Sequence, residues 1–157
     1  MKKKKFNFKK ILRSLAPMLT KTLRKLAAVV IFVVFAAIET SDWLSLIAAF
    51  SSWGSSPRVA GLNAEFTNIY LIVLTVLALG ILLFACQTIV GILRGAAWAV
   101  RTAQATSIIY MIYGGFQIFT AFNNPGVSLA RISTAGAVFI VIGLALFGLG
   151  TRLARPD

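Results

Sequence analysis

The chain has 157 residues, 59% of them hydrophobic and 13% charged, with a mean hydropathy of +0.87. Soluble domains are roughly half apolar and about a quarter charged, so this composition excludes a sizeable soluble domain and points to an all-α integral membrane protein. A formal net charge of +12 would suggest nucleic-acid binding in a soluble protein, but ten of the 16 Lys and Arg residues precede Leu26, ahead of the first apolar run. There they read as an orientation signal and an anchor to anionic lipid, and no nucleic-acid partner is expected.

The sequence has one cysteine and no histidine. Cys86 has no intrachain disulfide partner, and its apolar surroundings suit a small buried or lipid-facing residue. Without histidine the chain lacks the usual axial haem ligand and the commonest transition-metal ligand, so no cofactor bound by side-chain ligation is expected.

The first 25 residues form a basic amphipathic segment. Phe8, Ile11, Leu12, Leu15, Met18, Leu19, Leu23 and Leu26 recur at helical spacing, and cations fill much of the other face. Such a helix lies flat on a membrane, with apolar side chains in the acyl boundary and cations among headgroups. Lys2, Lys3, Lys4, Lys5, Lys9, Lys10, Arg13, Lys21, Arg24 and Lys25 are the candidate contacts to anionic lipid or an acidic partner. Pro17 lacks a backbone N–H and is expected to end this helix or open the next.

Residues 26–150 form the predicted transmembrane domain. Its first span, about 26–46, reaches Glu39, Thr40, Ser41 and Asp42 before an apolar stretch at 43–50 that extends the helix or lies at the interface. The long loop 51–68 carries Gly54, Pro57, Gly61 and Asn63. The second span, about 68–90, is the clearest: no charged side chain occurs between Glu65 and Arg94. About 20 apolar residues cross about 30 Å of hydrocarbon, and this run supplies them with no polar face. A tight turn with Arg94, Trp98 and Arg101 leads to the third span, about 103–122, which ends before Asn123-Asn124-Pro125-Gly126. The fourth span is about 132–149, and 151–157 is a short tail.

Four spans put both termini on one side. With that side cytoplasmic, the inner segments hold 14 cations and the outer loops only Arg58 and Arg131, as the positive-inside rule requires. A bacterial inner membrane, or an equivalent energy-transducing membrane, is the expected location.

Three constellations could carry function. Gly136, Gly143 and Gly150 share a face at seven-residue spacing, and Gly91 and Gly95 form a GxxxG that a turn would interrupt. Small residues allow close helix approach, either within the bundle or against a partner subunit. Glu39 and Asp42, three residues apart, are a candidate ion or proton site, since acids in hydrocarbon often mark such paths. The intervening Thr40 and Ser41 and the loop beyond favour instead a polar outer end that faces water. Tyr110, Tyr113 and Phe116 lie along one side of the third span as a lipid or helix contact, or as a contact for a pigment or quinone. Gln87, Gln104, Thr106, Ser107 and Gln117 are expected to bond across helices.

No motif of catalysis, phosphate binding or metal ligation is present, and no enzymatic activity is expected. The leading expectation is a non-catalytic accessory or structural subunit of a larger membrane complex, with a respiratory or photosynthetic one as the natural setting. Other membrane subunits and anionic lipids would be its partners. The alternatives are a small oligomeric transporter or channel working through Glu39 and Asp42, and a membrane-surface tether that recruits acidic partners.

Overall fold

A computed structural model describes residues 8–51, 64–123 and 129–155, with side chains at 20–49, 51, 66–123 and 136–155. Apart from the turn at 95–97 and residues 154–155, the described residues are helical: α1 (Phe8–Ser51), α2 (Ala64–Arg94), α3 (Trp98–Asn123) and α4 (Leu129–Ala145). A π-helical turn, Leu146–Gly150, carries α4 into a last short turn, α5 (Thr151–Leu153). Segments 66–94, 98–123 and 136–153 are long and apolar enough to cross a membrane, consistent with an integral membrane protein. They overlap the second, third and fourth predicted spans.

α1 departs from expectation in being continuous. It runs 44 residues, about 66 Å, through Pro17 and on to Ser51 without a break between the basic segment and the apolar run. A proline removes one hydrogen bond from a helix, and here the helix continues across that single loss. The stretch 43–50 is accordingly an extension of α1 and not a separate interfacial helix. Lys2 to Lys5 and the loop 52–63 lie outside the described residues, as do the side chains of Lys9, Lys10 and Arg13.

Packing follows one rule on three helices. The inward positions on α1 are Ala28, Phe32, Phe35, Glu39, Asp42, Leu46 and Ala49, in alternating steps of four and three. On α2 they are Thr67, Leu71, Leu74, Ala78, Ile81, Ala85, Thr88 and Ile92; on α3, Ala99, Ala103, Thr106, Tyr110, Tyr113, Gln117 and Thr120. A 3.5-residue repeat is that of left-handed helix packing at a shallow crossing angle. α1 packs on α2, α2 on α3 and α3 on α4, while α5 returns to touch α1 and α3. The outward faces carry Ile69, Val76, Leu83, Ile112, Val141 and Leu149, a broad apolar surface suited to lipid.

The α2–α3 connection is a Schellman turn. Gly95 takes φ +66°, its N–H donates to the Ile92 carbonyl at 3.1 Å, and the Ala96 N–H donates to the Gly91 carbonyl at 2.9 Å. Only a residue without a Cβ adopts that backbone freely, so glycine ends α2 where the sequence anticipates a tight turn.

Candidate functional site: a carboxylate–tyrosine cluster

Two seam positions on α1 are acids. Glu39 is fully buried and Asp42, one turn further on, is half-buried. The expectation that Glu39 ends the span facing water is therefore corrected, for a reason visible in the local structure. The Thr40 hydroxyl donates to the Ala36 carbonyl at 2.8 Å and the Ser45 hydroxyl to the Asp42 carbonyl at 2.7 Å. The polar side chains around Glu39 thus bond to their own helix, and α1 continues with Glu39 on its packed face.

α3 supplies the facing groups. Tyr113 donates its hydroxyl to Asp42 Oδ2 at 2.5 Å. Tyr110, the preceding seam position, lies within the electrostatic reach of both Glu39 and Asp42, with Glu39 the stronger. Apolar rings pack against the two tyrosines. Phe35 meets Tyr110 edge to face at 4.9 Å between centroids, and Phe139 of α4 meets Tyr110 and Tyr113 in the same way, each at 4.9 Å. Edge-to-face contacts hold the rings in defined orientations and so aim the hydroxyls. Buried Gln117 and Thr120 follow along the α3 seam, with Thr67 and Tyr70 on α2, so polar groups share this half of the interior with buried Leu46 and Leu71.

Tyr110 and Tyr113 are thus interior residues paired with the acids, two features that read separately in the sequence. Phe116 sits apart from the cluster, half-buried and stacked on Tyr70 at 5.9 Å. The signal that would have joined the acids to the tyrosines was the step of three and four residues. Ala28-Phe32-Phe35-Glu39-Asp42 and Ala99-Ala103-Thr106-Tyr110-Tyr113 have the same spacing.

A carboxylate enclosed by protein is costly as a bare charge, so such a group holds a proton or a counter-cation. A tyrosine hydroxyl can donate to it or relay a proton. No group of three His, Cys, Asp or Glu side chains comes together among the described residues.

Gly91, Gly114, Gly136 and Gly143 lie at close helix contacts within the chain. A Cβ on Gly136 would fall 2.6 Å from the Gly114 carbonyl oxygen, and one on Gly114 would fall 2.6 Å from that of Gly136. Gly143 packs on Met111, and Gly91 on Trp98 and Ala99. Gly150 faces Phe32 of α1 and not α3. The π turn between Gly143 and Gly150 accommodates about one extra residue, which rotates the C-terminal end of the helix by about 100° and takes Gly150 off the shared face. Gly95 belongs to the turn.

The polar side chains of the other half are mostly satisfied within their own helices. Thr106 donates to the Thr102 carbonyl and Ser107 to the Ala103 carbonyl, each at 2.8 Å. Thr88 donates to Thr102 at 2.9 Å across the α2–α3 contact. Gln87 is exposed and Gln104 half-buried.

These features define the class: a helical bundle with three helices of membrane-spanning length and a carboxylate–tyrosine cluster in its interior. Comparisons with protein families, with curated proteins and with solved structures return no match.

Proposed function

We propose that this is a four-span membrane protein that binds and passes a proton or a small hard cation through the Glu39–Asp42–Tyr110–Tyr113 cluster. The complete burial of Glu39 beside Tyr110 is the observation that carries this reading. An ionisable side chain kept inside an apolar bundle is expensive to maintain, and in membrane proteins such groups commonly mark ion or proton paths. Asp42, half-buried one turn away, is the entry from the membrane surface, and the tyrosine hydroxyls link it to Glu39. In this reading α1 supplies the remaining span, the first in chain order, at about 26–46. The basic end faces the cytoplasm, with both termini on that side, and the acids lie toward the opposite surface.

The test is reconstitution of the full chain in liposomes, with proton or Na⁺ flux followed by entrapped dyes. Wild-type protein should give flux above protein-free vesicles, and Glu39→Gln should reduce it to background while the helical content and elution volume stay unchanged. Equal flux from the variant and the wild type, or none from the wild type, overturns the proposal.

A second reading, a non-catalytic subunit of a larger membrane complex, is supported by α4. Val138, Val141, Leu144 and Leu149 point outward from a helix held along one side by α3. A helix so exposed can seat another subunit as well as lipid. Gentle extraction followed by a native gel and mass spectrometry distinguishes the two: a discrete large complex supports the subunit, and a lone monomer removes it.

A further inference from the structure

The end of the bundle away from the acids gathers cations from separate parts of the chain. Arg24 of α1 donates through Nη2 to the Arg155 carbonyl at 3.3 Å, which ties the start of the apolar run to the C-terminal segment. The Lys25 ammonium lies 3.7 Å from where a Cβ on Gly95 would stand, at the turn flanked by Arg94 and Arg101. With Lys21 and Arg152 there are seven cations at this end, all exposed but Arg24, which is half-buried. Among the described side chains the only acids are Glu39 and Asp42, and Glu39 is 14 residues, about 21 Å, along α1 from Lys25. The packing of α1, the turn and α5 thus brings like charges together with no acid among the described side chains at that level.

We infer that this end is a binding site for anionic phospholipid, built chiefly by Lys25, Arg94 and Arg101 around the Gly95 turn. Charge alone would suit any polyanion. The neighbouring surface selects the lipid, because exposed Leu23, Leu26 and Leu93 adjoin the cations. Trp98, packed on Gly91 and 40% exposed, occupies the same level, as interfacial tryptophans do. A ligand with a phosphate joined to acyl chains satisfies both surfaces at once, whereas a soluble acidic protein or a nucleic acid leaves the leucines uncovered. The cations of the first 20 residues are not needed for this site, and neither are Glu39 and Asp42.

The experiment is native mass spectrometry and thermal unfolding of the full-length protein in a neutral detergent, with added dioleoyl phosphatidylglycerol or dioleoyl phosphatidylcholine. Wild-type protein should retain phosphatidylglycerol preferentially, and its unfolding midpoint should rise with that lipid alone. The triple variant Lys25→Gln, Arg94→Gln, Arg101→Gln should lose about a hundredfold in apparent affinity, at roughly fivefold per charge. Neutralising Lys2 to Lys5, Lys9 and Lys10 should leave retention intact. Equal retention of the two lipids by the wild type overturns the inference without reference to any variant. So does a loss in the tail variant as large as in the triple variant. Competition by free glycerol 3-phosphate as effective as by the lipid would assign the site to a soluble phosphate and overturn it too.

Discussion

The Tyr113 hydroxyl and the Asp42 carboxylate, 71 residues apart in the chain, meet at 2.5 Å and join α1 to α3. Beside them Tyr110 faces Glu39, so two successive seam positions on each helix form two polar pairs inside an apolar bundle. A hydrogen bond to a charged acceptor contributes about 1.5–3 kcal/mol in water-soluble proteins, but polar contacts between membrane helices average near 0.6. Tyr113→Phe should therefore lower stability by about 1 kcal/mol. Titration with a denaturing detergent measures this, and a double-mutant cycle with Asp42→Asn should show that most of the loss is shared. Independent, additive effects would mean that the contact contributes little.

Close approach of α3 and α4 rests on Gly114 and Gly136. Because each Cβ would meet the other's backbone oxygen at 2.6 Å, the helices must separate to admit an alanine. Gly136→Ala should cost about 1–3 kcal/mol, the usual range for overpacking. Gly115 and Gly148 have nothing within 4 Å of an added methyl and serve as controls. Their alanine variants should be neutral or slightly stabilising in the same titration, since glycine disfavours a helix by about 0.5–1 kcal/mol relative to alanine.

At Gly95 the constraint is on the backbone. The position has φ +66°, and the nearest atom to an added Cβ is the Lys25 ammonium at 3.7 Å, so the penalty for a side chain is conformational. Gly95→Ala should destabilise by about 1 kcal/mol, whereas Gly95→Asn, which tolerates the left-handed region better, should cost less. Similar losses in both variants would place the cause in contacts with the basic end.

Orientation has a direct labelling test. Cys86 is exposed on α2, within a segment of membrane-spanning length, so a charged thiol reagent should leave it unmodified in intact membranes and modify it after denaturation. In a Cys86→Ala background, Ala97→Cys in the basic turn should resist an impermeant reagent in intact cells, and Ser51→Cys at the far end of α1 should react. The reverse pattern would put the basic end outside.

The membrane character of the chain was legible from residues alone. Apolar runs free of charge, bounded by Arg94 and by Asn123, dictate helices of spanning length, because an unpaired backbone cannot cross hydrocarbon. The turn at Gly95 was legible for a similar reason, since the need for a positive φ is local. What only the tertiary structure decided is which side of each helix faces inward. On α2 and on the apolar run 26–38 of α1 apolar residues surround the helix, so hydrophobicity does not distinguish lipid from core, and the inward faces are picked out by packing. That placed Glu39 in the interior, turned Gly150 from α3 toward α1, and brought Tyr110 and Tyr113 to the acids. Contacts between residues 71 positions apart depend on how four helices fit together, and the three-and-four spacing that the two segments share does not by itself say which helix meets which.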